Sequence, residues 1–283
     1  MRRRHSRALA SPIPLALGLP LAILMGLALP PLALRASSQD FAPAEPPGPA
    51  NSGAALLERG LPAAHGALAF EALATSWLGV PDLSTRAACV AVPVHSLRLA
   101  AGVSRTGAAE LGWSAAGLAA GAAGPAGGAA VRALARRDLD PVPRQGPALE
   151  AGGGAWVRAS RRARIWASAP QLWTRGAPPL PQGLVIGASI ETDGVAAWLE
   201  RVAPARAADE NGRHDAGLAL DLGPARAWVE AREQPLRAAV GIEIAARRWS
   251  VRLRVESHPV LGETVSLALA GGARAERVAD SPP

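Results

Sequence analysis

From Asp215 to Leu269, apolar and polar residues alternate almost one by one through five successive segments, and this period of two restricts the fold more than any other feature. A strand turns successive side chains to opposite faces, so such alternation marks strands with one apolar and one polar face. Ala216, Leu218, Leu220 and Leu222 share a face against Asp215, Gly217, Ala219 and Asp221. Ala225, Ala227, Val229 and Ala231 oppose Arg226, Trp228, Glu230 and Arg232. Leu236, Ala238, Val240, Ile242, Ile244 and Ala246 oppose Arg237, Glu243 and Arg247. Trp249, Val251, Leu253 and Val255 oppose Ser250, Arg252, Arg254 and Glu256, and Val265, Leu267 and Leu269 oppose Thr264, Ser266 and Ala268.

The separators are short and carry turn residues: Gly223-Pro224, Glu233-Gln234-Pro235, and His258 to Gly262 around Pro259. They leave no room for crossover helices, so the strands pair antiparallel. The N-terminal half repeats the pattern with more noise. Leu97, Leu99, Ala101 and Val103 oppose Ser96, Arg98 and Ser104, with Arg105-Thr106-Gly107 expected as a turn. Ile165 and Ala167 oppose Arg164 and Ser168, and Leu184, Ile186, Ala188 and Ile190 form another apolar face. The Gly/Ala stretch 117–130 stays open between helix, hairpin and plug. The expected fold is all-β, an antiparallel up-and-down membrane β-barrel of about 12–14 strands with roughly nine to eleven residues each.

The ends differ from this pattern. Arg2, Arg3, Arg4 and Arg7 precede an uncharged apolar run from Ile13 to Leu34, and small residues at Ala36-Ser37-Ser38 suit a signal peptidase. Residues 1–38 are therefore expected as an export signal, with an uncleaved anchor as the alternative; prolines 14, 20, 30 and 31 speak against a regular spanning helix. Residues 39–64 are expected as a Pro/Ala-rich linker with one short helical turn at 54–59, residues 65–272 as the barrel, and 273–283 as a polar tail.

Charge narrows the function. All thirty basic residues are arginine, and the formal charge is +7; without the five arginines of the signal it is +2. Such a domain does not collect phosphates, so no nucleic-acid partner is expected. A single cysteine, Cys89, forms no intramolecular disulfide and builds no zinc site. The five histidines show no metal-ligand spacing, and there is no Walker loop, no GxGxxG and no GxSxG. The expectation is a non-catalytic protein with no cofactor and no metal.

Alternation alone serves two architectures. In a soluble periplasmic sandwich or small barrel, the apolar faces pack together and bind a partner or apolar ligand. In an outer-membrane barrel, the apolar faces meet lipid and the polar faces line the lumen. Charge-free apolar faces over five strands and a mean hydropathy of +0.13 favour the membrane. The absence of Tyr and the Pro-Pro terminus oppose it. On the membrane reading, Asp215, Asp221, Arg226, Glu230, Arg232, Arg237, Glu243, Arg252, Arg254 and Glu256 line the lumen as an Arg–carboxylate ladder. The expected partners are then outer-membrane lipid and other envelope proteins.

The run Ser76-Trp77-Leu78-Gly79-Val80-Pro81, with Leu97–Gly102, Glu110–Trp113 and the turn Glu256–Thr264, resembles the FadL/PorV-type class of outer-membrane barrels over about residues 66–272. The resemblance is one of pattern and implies a barrel. The asparagine-proline-alanine signature of that class's N-terminal plug is missing, so fatty-acid transport is not carried over.

Overall fold

The computed structural model describes residues 41, 44–49, 52–62, 68–77, 84–107, 112–139, 147–176, 183–203, 212–233, 236–258 and 262–272. Among these residues, fourteen antiparallel strands close into a barrel. They are β1 (Ala69–Ser76), β2 (Ser84–Val94), β3 (Leu97–Gly107), β4 (Gly112–Ala123), β5 (Gly127–Asp138), β6 (Ala148–Arg158) and β7 (Ala163–Arg175). The second half is β8 (Val185–Thr192), β9 (Val195–Val202), β10 (Arg213–Leu222), β11 (Ala225–Arg232), β12 (Arg237–Ala246), β13 (Trp249–His258) and β14 (Gly262–Gly272). Every strand pairs with its neighbours in sequence. Between β14 and β1, Gly272 faces Ala69 and Val265 faces Ser76, so closure leaves no sheet edge unpaired.

The two ends of the barrel are built differently. Even strands pass to odd ones through two to four residues (95–96, 124–126, 159–162, 193–194, 223–224 and 247–248). Odd strands pass to even ones through three to ten, the longest being 139–147, 176–184 and 203–212. The tight turns need left-handed backbone, which Gly194 (φ 80°) and Gly223 (φ 72°) supply and which His95 (φ 55°) and Arg247 (φ 46°) also adopt. Arg105–Gly107, expected as a turn, instead completes β3. Thr106 pairs with Thr85 and Trp113, because its alternation with Ser104 continues the inward face.

The stretch 117–130 resolves into the β4–β5 hairpin, bent at Gly124-Pro125-Ala126. Within the segment expected as a linker, the short helical turn expected at 54–59 falls in a seven-residue helix packed on the barrel. This is helix α1 (Gly53–Arg59), in which Ala54, Ala55, Leu56 and Leu57 are buried against the barrel strands. The Pro/Ala composition of the segment suggests an extended chain, whereas the apolar residues at 54–57 are what the barrel interior takes up. The export signal 1–38 and the tail 273–283 lie outside the described residues.

Alternation here is inside-out relative to a soluble protein. Leu118, Val131, Val103 and Ile190 face outward and are 59–66% exposed, whereas Glu71, Asp215 and Glu150 face inward and are 1–2% exposed. Four buried tryptophans also point inward. Trp166 on β7 faces Gly187 on β8, Trp198 on β9 faces Gly217 on β10, and Trp228 on β11 faces Gly241 on β12. In each pair the indole lies over the glycine, where a Cβ would meet it at 2.1–2.3 Å. Trp156 on β6 stands opposite Trp166 and takes the same position over Gly128. Each step from one such tryptophan on β7, β9 and β11 to the next moves two residues along the intervening even strand. In a closed barrel sheared by about one residue per strand, that offset keeps them level. They form a belt around half the interior.

Gly217→Val and Gly241→Val force the paired indole off the wall, and overpacking of this kind costs about 1–3 kcal/mol. Each is expected to lower the thermal unfolding midpoint. Gly124→Ala, whose Cβ would meet nothing within 4 Å, is expected to leave it unchanged.

Candidate functional site

The interior divides into two halves that meet on the N-terminal segment. Around β2 to β6 the inward positions are small (Ala87, Ala91, Ala100, Gly102, Gly117, Ala119, Gly121 and Ala130), and helix α1 lies in the space they leave. A Cβ at Gly102 would come 2.7 Å from both Leu57 and Phe41, and one at Gly154 would come 2.9 Å from Leu61. Gly117, one of the glycines that made 117–130 ambiguous in sequence, belongs to the same seat, where a Cβ would come 3.1 Å from Leu57.

The wall also holds the helix at both ends. Ser52 caps the N-terminus, accepting from the Ala55 N–H at 2.9 Å, and the inward carboxylate of Glu71 accepts from the Ala54 N–H at 3.4 Å. At the other end, Gly60 turns left-handed (φ 65°) and Arg132 of β5 donates to the Leu57 carbonyl at 2.7 Å. A carboxylate at the positive end and a guanidinium at the negative end suit the helix dipole. Ser168 donates to the Arg59 carbonyl, and Trp156 donates its indole N–H to the Pro62 carbonyl at 2.6 Å.

Arg132 is positioned by an irregularity in the sheet. Ala151 faces Trp173 but Gly153 faces Ala169, so β7 carries two extra residues at Pro170, which has no N–H to give a ladder. The Pro170 carbonyl accepts from Arg132 Nε (3.1 Å) and Nη2 (2.8 Å). Arg136 donates to Glu150, which also lies 3.8 Å from Arg132. Glycines at 152 and 153 are required here, because a Cβ would strike the carbonyls of Pro170 and Ala130 at 2.1 and 2.5 Å.

The other half carries the charges read from the sequence, all of which face inward. Asp215, Glu230, Arg232, Arg237, Arg254 and Glu256 form one network. Arg232 reaches Asp215, Glu230 and Glu256 at 3.2–3.3 Å, Arg254 reaches Glu230 and Glu256, and Arg237 reaches Glu256 at 2.8 Å. Glu230, Arg232, Arg237, Arg254 and Glu256 leave no room between them for a water molecule. Arg252 and Glu243 belong to a second group, because Arg252 also reaches Glu71 at 3.0 Å and Glu45 at 3.4 Å. Asp221 and Arg226 pair at 3.6 Å beside the 223–224 turn, apart from both groups.

Sequence reasoning did not single out Glu71, Arg132, Arg136, Glu150 or Glu200. The alternation Val131-Arg132-Ala133-Leu134-Ala135-Arg136 contained the signal for two of them, since Arg132, Leu134 and Arg136 share the inward face. Among the described residues, no three His, Cys, Asp or Glu side chains gather into a group that could hold a metal ion.

No family model matches the sequence, and no curated protein matches it. The solved structures it is similar to are bacterial porins. A triple mutant of Rhodopseudomonas blastica porin aligns at 9% identity with a TM-score of 0.40, and KdgM porin at 5% with 0.38. Each match covers 72% of this chain and 98% of the porin. These neighbours give no particular support to the FadL/PorV-type likeness.

Arg252→Met strips the buried Glu71 and Glu45 of their shared guanidinium, and breaking a buried pair from one side costs about 3–5 kcal/mol. Arg164→Met breaks a half-exposed pair with Glu191 and is expected to cost no more than about 1 kcal/mol. Denaturant unfolding of the two variants measures the difference.

Proposed function

We propose that this chain is an outer-membrane, porin-like β-barrel with no catalytic step, closed at rest by its own residues 44–49 and 52–62. The observation that carries this reading is the inverted alternation: a belt of exposed Leu, Ile and Val outside and buried ion pairs inside. In water, so continuous an apolar exterior would drive association, whereas in lipid it is the required surface. Ten-residue strands such as β12 and β13 are about 33 Å long and, tilted about 40°, rise about 25 Å, the height of the apolar band of such barrels. Closure satisfies the backbone throughout, as a bilayer demands.

Two outward tryptophans stand at opposite ends of the barrel. Trp173 lies near the long-loop end of β7 and Trp249 opens β13 at the tight-turn end, both more than half exposed. Indoles are favoured at the two membrane interfaces, and these two supply a minimal girdle in a chain without Tyr. Short turns on one side and longer loops on the other set the orientation, with the turns in the periplasm and the loops outside. A soluble barrel has no use for this pairing of an apolar outside with connections of unequal length.

The chain is expected to fractionate with the outer membrane and to shift in gel mobility on heating. A soluble fraction with no shift contradicts the proposal. In intact cells, a membrane-impermeant maleimide is expected to label Glu233→Cys, at the loop end, and to miss Asp193→Cys, in a tight turn. The full chain is expected to conduct weakly in a planar bilayer. The double variant Glu71→Gln/Arg132→Gln, which loosens both ends of helix α1, is expected to raise conductance by an order of magnitude or more.

A further inference from the structure

The tryptophan belt has a feature that packing alone does not need. Trp156 and Trp166 satisfy their indole N–H groups on the Pro62 carbonyl (2.6 Å) and on Glu200 (2.8 Å). The N–H groups of Trp198 and Trp228 have no acceptor among the described residues, although these two side chains are only 6% and 2% exposed. A buried donor without a partner is costly, and a phenylalanine or leucine would fill the same space over glycine without one. At its Trp156–Trp166 end the belt is covered by the chain's own N-terminal segment. Leu61 packs among the indoles, Pro62 takes the N–H of Trp156, and Gly48 sits against the ring of Trp166.

We propose that the belt is a binding surface for a neutral oligosaccharide, covered at rest at its Trp156–Trp166 end by residues 44–49 and 52–62 and uncovered when these withdraw. The proposal rests on the closed-channel reading above and adds its substrate class. Three level indoles on alternate strands offer flat apolar surface at regular intervals, which suits the C–H faces of successive sugar rings. The two unpaired N–H groups offer donors for hydroxyl or ring oxygens. Two residues beyond the tryptophans, towards the loops, stand Glu200 on β9 and Glu230 on β11, with Arg232 and Asp215 beside them. Arg213, Arg232, Arg237 and Arg254 stand there against Asp215, Glu200, Glu230 and Glu256, so the surface has donors and acceptors for hydroxyl groups but no net charge that selects an ion. A fatty chain would leave the N–H groups unsatisfied, and an anion would find the nearby guanidinium groups already paired with carboxylates.

The test uses the full-length Glu71→Gln/Arg132→Gln variant, with its heat-dependent mobility as the check on folding, and Leu57→Asn as a second means of loosening the segment. Maltotetraose is titrated by calorimetry, and its block of ion current is measured in bilayers. Saturable binding and block are expected. Adding Trp198→Phe and Trp228→Phe keeps the rings and removes the N–H groups, and is expected to weaken binding about tenfold. Adding Trp198→Leu and Trp228→Leu is expected to abolish it. Current without maltotetraose binding in either loosened variant overturns the sugar site and leaves the channel standing. Binding without current supports the site and overturns the channel. Binding that both tryptophan pairs leave unchanged, or octanoate bound more tightly than maltotetraose, also overturns the proposal.

Discussion

Once the alternating strands of this chain close on one another, they enclose a space that takes either water or the chain's own groups. About eight strands make a barrel that its own side chains can just fill, and fourteen enclose more than that. Three kinds of group are packed inside: small residues on β2 to β6 admit the helix that precedes β1, four indoles line the next strands, and arginines extend onto carboxylates. Each depends on the others: the helix ends are held by Glu71 and Arg132, and Arg252 couples Glu71 to Glu45 of the segment and Glu243 of the wall.

Burial of so many charges is tolerable because they are matched to one another. Arg232, Arg237 and Arg254 share three carboxylates, and Arg132 divides its donors between a helix carbonyl and the carbonyl at the Pro170 bulge. Buried ion pairs of this kind add little net stability, but they penalise any rearrangement that removes one partner. That property suits a wall that must hold its shape while a segment inside it is displaced.

The strands are legible in the sequence because their signal is local and survives a biased composition. Leu218-Ala219-Leu220-Asp221 reads as a strand whichever neighbour it pairs with, and the inward side of Asp215 through Glu256 follows directly. The seat of the helix is not legible. Glycines at 102, 117 and 154 acquire meaning only when Leu57 and Leu61 are known to lie above them, and those contacts join positions far apart in the chain. The tryptophans show the same limit. Trp198 and Trp228 sit among charged residues on polar faces, and only the register reveals the glycine opposite each one. In segment 39–64 the helical turn at 54–59 is legible, but its Pro/Ala composition carries no sign that Ala54–Leu57 are packed against the barrel.

A barrel kept closed by its own N-terminal segment can be tested most directly through Cys89, the single cysteine. A Cβ at Gly53 would lie 3.1 Å from its sulfur, within reach of a disulfide. Gly53→Cys is to be introduced into the loosened Glu71→Gln/Arg132→Gln background, and bilayer conductance compared under oxidising and reducing conditions. A segment seated in the barrel gives a fast-forming crosslink between the introduced thiol and Cys89, low conductance while it is intact, and a rise on reduction. Absence of the crosslink in folded protein, or the same conductance before and after reduction, would contradict it.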